Sequence, residues 1–347
     1  MALSTLDNQH SKGMPAALAF ALCSYVPVEV LDALGFSTVR LVASGTVQAE
    51  SDGERLLGAE ACSWCKSSAS TMLKIAGTSP SAIFVGCTSC DQARRTADTL
   101  GSLDGLRVLL VNSPATRSDN ALCHYVAEVR EFAAQLEEAA GRTLTSDALR
   151  DAVLLREARR ARLRALRPQL PHPAMLAEVL ADMMAPAGSA QPAQMDTVLR
   201  PQSSGIPVLL AGGAHAESDM RFAELLVRSG FNVVADLTCT GERYYDFEIP
   251  LGDDLLASVA RAYFHRPPCI WTRPNSGFFD YALRIATERG VRGVIWKAPR
   301  FCDVWNFEVQ RARERFGLPL LHLDATYSEA ASARTVTRVE AFAESLV

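Results

Sequence analysis

The chain has 347 residues, 48% of them hydrophobic and 21% charged, with a formal net charge of -4 at neutral pH. That length suggests about two domains of ordinary globular composition. The charge gives no pull toward nucleic acid or an anionic membrane, and no apolar run approaches the roughly 20 residues that span a bilayer.

The N-terminal stretch "MALSTLDNQHSKGMPAALAFALCSY" has a short apolar patch at 15–23. No basic stretch stands directly ahead of it and no cleavage site follows, so it does not read as a signal peptide, and the protein reads as cytoplasmic. The first third then alternates strand-like runs with helical patterns. "TVRLVAS" (38–44), "SAIFVG" (81–86) and "LRVLLVNSP" are the strands, and helices are expected near 27–34, 66–75 and 91–100. Pro27 suits a first helical turn and Gly35 a C-terminal cap. Such alternation is the signature of a parallel α/β layer.

Residues 118–185 carry two long helical patterns, the second with Thr145 or Ser146 as N-cap. A Pro/Ala/Gly-rich loop is expected at 186–194. Seven arginines fall between Arg150 and Arg167. They read either as a docking patch for a phosphate-bearing ligand or partner, or as a solvated helix face. A second α/β unit follows, with "IPVLLAGG", "NVVADL", "CIWTRP", "GVIWKA" and "LPLLHLDA" as strands. The expected fold class is therefore α/β: two Rossmann-like lobes with parallel sheets, at 1–117 and 201–347, joined by a helical connector at 118–200. No fixed-period repeat relates them.

The nine cysteines are Cys23, Cys62, Cys65, Cys87, Cys90, Cys123, Cys239, Cys269 and Cys302. An odd number in a reducing compartment argues against structural disulfides. Cys23 and Cys123 read as small buried hydrophobes. Ligands of open parallel sheets bind at the carboxyl ends of strands. Cys87 and Cys90 follow "AIFVG", Cys239 follows "VVADLT", and Cys302 follows "GVIWKAPRF". Cys62 and Cys65 occupy a loop leading into the helix near Lys66. Thiols from both lobes can thus converge on one cleft. Two C-x2-C pairs with 21 residues between them also resemble a structural zinc spacing. A thioredoxin-like dithiol is a further reading. So is an iron–sulfur cluster held by one soft thiolate per loop, which with three thiolates leaves one iron open.

Six segments, in order, resemble the 2-hydroxyacyl-CoA dehydratase and benzoyl-CoA reductase superfamily, and in particular its dehydratase D-component-like subunits. They are "SYVPVEVLDALGFSTVRL", "CSWCKSS", "CTSCDQARR", "VVADLTCTGERYY", "GVIWKAPRFCDVW" and "LPLLHLDATYSEAASARTVTRVEAF". The resemblance implies that Cys62, Cys90 and Cys302 hold a [4Fe–4S] cluster. A relative in the superfamily carries a double-cubane [8Fe–9S] cluster, for which Cys65, Cys87, Cys239 and Cys269 are the possible extra ligands. The resemblance further implies reductive radical chemistry on an acyl-CoA thioester, in which reduction of the carbonyl to a ketyl expels the 2-hydroxyl group. The electron comes from a separate ATP-dependent iron–sulfur activator, and the working unit is a homodimer or a pair with a paralogous subunit. No Walker loop of the G-x-x-x-x-G-K-[ST] type occurs, consistent with ATP being used elsewhere. A reductase of a small non-CoA substrate and a non-catalytic or zinc-stabilised subunit are the alternatives.

Ser24 and Tyr25 precede the first motif helix, where a hydroxyl could face the open iron or substrate. Ser24 is equally a helix N-cap. Glu29 is an acid/base candidate or a stabiliser of the first helical turn. Asp91 and Asp303 read as helix caps, His215 and His265 as structural, and "AGGAHAES" as a tight turn that could approach a phosphate.

Overall fold

The computed structural model describes residues 17–189 and 204–347. Strands β1 (Leu18–Ala21), β2 (Ser37–Arg40), β3 (Ile83–Cys87) and β4 (Arg107–Val111) form a parallel sheet in the order β2-β1-β3-β4. Around it lie α1 (Val28–Ala33), α2 (Val47–Leu57), α3 (Ser63–Thr78) and α4 (Asp91–Gly101). Three connector helices follow: α5 (Asp119–Ala140), α6 (Ser146–Leu166) and α7 (His172–Met184). Thr145, not Ser146, caps α6, its side chain accepting the Ala148 N–H at 3.2 Å. The rest of the expected 186–194 loop beyond Ser189 lies outside the described residues.

The chain then continues with β5 (Ile206–Gly212), α8 (Met220–Arg228), β6 (Phe231–Asp236), α9 (Glu242–Tyr245), α10 (Leu255–His265), which packs with α5 on the core of the first sheet, and α11 (Ser276–Glu288). The second lobe, built on β5 and β6, is completed by β7 (Gly293–Pro299), α12 (Asp303–Asn306), α13 (Val309–Phe316), β8 (Leu320–Ala325) and α14 (Ala333–Ser345). Its sheet is also parallel, in the order β6-β5-β7-β8. The chain therefore belongs to the α/β class with two Rossmann-like lobes, and both sheets place their first and third strands side by side. That is where the connections change direction, and where a crevice opens at the strand ends. Among the described residues, no helix is long and apolar enough to cross a membrane.

Burial explains which strands the sequence displays. Every residue of β3 and of β7 is buried, as expected for strands covered by helices on both faces. Strand β1, "LAFA", is four residues long and half alanine, with little β-propensity. In the sequence it is only part of an apolar patch, yet it pairs with both β2 and β3. Helix α2 was also unforeseen. The segment "CIWTRP" is not a strand: prolines 267, 268 and 274 bracket it and deny ladder donors. It forms a turn in which Thr272 N donates to the Cys269 carbonyl at 3.1 Å, and only Arg273 bridges to Thr116.

Apart from the exposed Arg150, the arginine run is spent on internal ties and not on a docking patch or a solvated face. On α6, Arg156 grips Asp32 through Nε at 2.6 Å and Nη2 at 3.1 Å, and Arg160 meets Glu29 at 2.7 Å. Arg159 pairs with Asp182 at 2.8 Å and Arg162 with Glu178 at 2.6 Å. Arg164 reaches the Tyr245 carbonyl at 2.8 Å, and Arg167 reaches Glu242 at 2.9 Å. One helix thus ties α1 of the first lobe to the β6–α9 region of the second. These partners lie 16 to 131 residues away in sequence, so no local pattern reveals them.

Candidate functional site

The two switch-point crevices face one another across a cavity of about 180 Å³. Seven cysteines line it: Cys23, Cys62, Cys65, Cys90, Cys239, Cys269 and Cys302. Cys23 follows β1, Cys90 follows β3, and Cys302 follows β7 beside Gly213 and Ala214 at the end of β5. A Cβ at Gly213 would lie 2.4 Å from the Pro299 ring, so glycine permits this close approach of β5 and β7.

Cys62, Cys90 and Cys302 each occupy the N-cap of a helix, α3, α4 and α12 respectively. The Cys90 sulfur accepts the Ala93 N–H at 3.4 Å. In the longer helices α3 and α4, the first turn presents partial positive charge toward the thiol. Asp91 and Asp303 are therefore first-turn residues and not caps, because the cysteines hold the cap positions. Phe301, just before Cys302, adopts a left-handed φ of 62° and is the only non-glycine residue among those described with φ above zero.

Bonds between lobes set the cavity's width. Ser24 Oγ donates to the Cys239 carbonyl at 2.8 Å, and Cys269 N donates to Tyr25 Oη at 3.1 Å. Ser63 N donates to the Arg300 carbonyl at 3.0 Å, joining the Cys62 and Cys302 loops. The thiols share protons in groups. Hydrogen bonds from Cys302 and Cys65 hold Cys62 well below the usual thiol range, while Cys65 and Cys302 are raised. A bond from Cys87 does the same for Cys23, and Cys87 is raised. Burial pushes Cys90 up to about 12.

Positive charge surrounds these sulfurs without carboxylate partners. Arg40 and Arg243 line the cavity and are 6% and 2% exposed. Arg40 bonds the Ala21 carbonyl at 3.1 Å, and Arg243 the Leu237 carbonyl at 3.3 Å, while the Nε of each has no partner. Behind them Arg117 stacks on Tyr25, Phe264 and Trp271, with both terminal nitrogens unpartnered. Arg266 stacks on Tyr25, Phe247 and Tyr263. Uncompensated buried cations are costly unless an anionic group accompanies them. Of the cavity thiols, Cys23 and Cys62 are shifted toward the thiolate, and Arg40 contributes to the shift of Cys23.

Among the described residues, no three thiol sulfurs lie within 4.8 Å of one another. A mononuclear zinc site with Zn–S near 2.3 Å needs sulfurs about 3.8 Å apart. The donors are soft and numerous, the ligand type that iron–sulfur groups take.

Of the residues singled out from sequence, the structure brings Ser24, Tyr25, Cys62, Cys65, Cys90, Asp91, Cys239, Cys269, Cys302 and Asp303 to the cavity. Ser24 does not cap α1; Pro27 stands at that position. Glu29 lies outside the lining, with one oxygen on Arg160 and the other accepting the Tyr263 hydroxyl at 2.8 Å. Cys87 sits one layer behind, against Cys23. Cys123 is exposed on α5, not a buried hydrophobe, and His265 is exposed. Sequence reasoning missed Cys23 because it missed β1. It also missed Arg40 and Arg243, although both lie within quoted motifs.

A family model for the 2-hydroxyglutaryl-CoA dehydratase D-component matches residues 23–346. The chain belongs to that family. A search of curated protein sequences found no match. The matched span includes every cavity cysteine, the connector and both lobes except β1, so the D-component region coincides with nearly the whole described structure. Family membership makes the chain a dehydratase-type enzyme subunit.

Proposed function

We propose that this D-component subunit binds a [4Fe–4S] cluster through Cys62, Cys90 and Cys302 and uses it in reductive dehydration of a 2-hydroxyacyl-CoA thioester. The observation that carries this reading is the single cavity where thiols from the strand ends of both lobes meet unpaired arginines. When bound, the cluster would supply low-potential electron transfer and one open iron site. The chain's own residues do the rest. The N-caps of α3, α4 and α12 aim three thiols inward. Arg40 and Arg243 balance the charge of thiolates and of an arriving electron. Trp64, Trp271 and Trp305 line the walls and keep the space largely apolar. Ser24 commits its hydroxyl proton to the Cys239 carbonyl and fixes the spacing between lobes. The electron's source is a separate ATP-hydrolysing iron–sulfur activator, and the partner is a second copy or a paralogous subunit.

One observation favours a second reading, a double-cubane cluster serving a reductase. The cavity offers four thiols beyond the proposed three, and Cys87 stands ready behind Cys23. Anaerobic reconstitution followed by iron and sulfide counting separates the two: about four irons per chain supports the first and about eight the second. Zinc without sulfide overturns both. Cys302→Ser should abolish the cluster, whereas Cys123→Ser, on the exposed face of α5, should leave iron content intact.

A further inference from the structure

Behind the strand ends of the second lobe lies a cluster that the cysteine cavity does not use. His172 opens α7, His215 follows β5, and Asp236 ends β6. All three are buried, at 6%, 1% and 6% exposure. His172 Nε2 and His215 Nε2 both point at Asp236 Oδ2, at 3.0 and 2.9 Å. The three candidate ligand atoms all lie within 4.8 Å of one another. A tetrahedral zinc with ligands at about 2.0–2.1 Å sets such atoms about 3.3 Å apart, so small movements would seat an ion.

The surroundings are arranged as metal sites arrange them. His215 Nδ1 faces Asp219 Oδ2 at 3.3 Å, the carboxylate support that fixes a ligating imidazole. Asp219 is in turn held by Lys297 at 3.0 Å. Asp236 Oδ1 accepts the Thr238 N–H at 3.0 Å, which leaves Oδ2 for the two histidines. A Cβ at Gly241 would lie 2.3 Å from that Oδ1, so only glycine lets the chain pack here. His172 Nδ1 is a buried polar atom with no protein partner. Beside His172, Asp236 and Thr240 lies a hollow of about 10 Å³, the size of one water, where a single water could serve as fourth ligand. The nearby Glu242 is occupied by Arg167 and Arg289, and Lys297 by Asp219, so neither competes for the site.

We infer that His172, His215 and Asp236 bind a zinc-class divalent transition cation that clamps connector helix α7 to the second lobe. Two imidazoles and one carboxylate suit zinc, cobalt or ferrous iron. Three protein ligands with a water in the fourth position is the coordination of catalytic zinc, but the three side chains are buried and the hollow beside them holds no more than one water, which leaves no room for a substrate and favours a structural clamp. It uses no cysteine and does not depend on the iron–sulfur reading.

The test is a Co²⁺ titration of chelator-treated full-length protein, run on wild type, Cys302→Ser, His172→Ala and His172→Gln. The His172→Gln variant retains a donor for Asp236, which guards against a variant that simply fails to fold. Wild type and Cys302→Ser should each show nitrogen/oxygen-type d–d bands for about one cobalt, separate from any thiolate charge transfer of cobalt in the cysteine cavity. Both His172 variants should bind it at least tenfold more weakly. Zn²⁺ should raise the unfolding temperature of wild type but not of His172→Gln. The inference is overturned if wild type shows only thiolate-bound cobalt, or if the His172 variants bind nitrogen/oxygen-ligated cobalt as well as wild type does.

Discussion

Replacing Arg160 with methionine tests whether Glu29 serves chemistry or architecture. Glu29 is fully buried in the first turn of α1, and burial alone would raise its pKa. Arg160 at 2.7 Å outweighs that, and the carboxyl sits below its ordinary value of 4.5. The pair is asymmetric. Arg160 also touches Glu157 at 2.7 Å, so losing Glu29 leaves it one carboxylate. Glu29 has no other ion-pair contact, so Arg160→Met leaves a buried carboxylate held by the Tyr263 hydroxyl and a backbone hydrogen bond. Breaking a buried pair from that side costs about 3–5 kcal/mol. Glu29→Gln keeps hydrogen-bonding capacity and should cost only about 1–3 kcal/mol. The Glu29→Leu/Arg160→Met double variant should recover much of the loss, because no buried charge then lacks a partner. A depressed folded-state pKa contributes stability that is present above 4.5 and lost as pH falls through the folded value. In Arg160→Met burial is unopposed, the pKa rises, and acidification relieves the penalty. Urea midpoints at pH 7 and pH 5 measure all of this. Equal losses for both single variants, or an acid response of Arg160→Met matching wild type, would refute the reasoning.

Arg243 should behave oppositely to Arg160, because it has no carboxylate. In cluster-free protein, Arg243→Gln should leave the urea midpoint unchanged or raised, since an uncompensated buried cation is removed; a loss of about 3 kcal/mol or more, the size expected for a paired arginine, would show that its charge is compensated within the protein. The same change removes a cation that lowers Cys239, so alkylation of Cys239 at fixed pH should slow, as read by mass spectrometry. Gly241→Ala should cost about 1–3 kcal/mol by overpacking against Asp236, and chemical denaturation reads it directly.

What the sequence displayed follows from how far each signal reaches along the chain. Strands β3 and β7 were legible because their burial on both faces writes a continuous apolar run. Strand β1 was hidden because alanines carry little strand preference, and Cys23 was misread with it. Cys239 and Cys302 were legible as strand-end residues through topology alone. Cys269 reaches the cavity by a different route: no strand precedes it, and the Tyr25 hydroxyl holds its backbone. The α6 arginines looked like a surface stripe because their carboxylates come from distant segments. The His172–Asp236–His215 cluster was illegible for the same reason, its members 21 to 64 residues apart.

The arginine ties and the cysteine cavity are mechanically linked, and that yields a further expectation. The distance between Cys62 and Cys302, and between Cys23 and Cys239, is set by how the lobes meet, not by either lobe alone. Hydrogen bonds cross beside the thiols from Ser24, Tyr25 and Ser63, and farther out Glu217 N donates to the Ala43 carbonyl and Tyr327 N to Glu50. Helix α6 adds a second constraint, since Arg156 and Arg160 hold α1 while Arg164 and Arg167 hold the segment from Val234 to Glu248. Helix α1 begins five residues after Cys23, and Cys239 lies inside the second held segment. A loosened α6 should therefore widen the cavity without touching a thiol. Reconstituted Arg160→Met should lose iron faster to a chelator than wild type, although every cysteine remains. Equal rates of iron loss would mean that each lobe fixes its own thiols, and the cavity would then owe nothing to the connector.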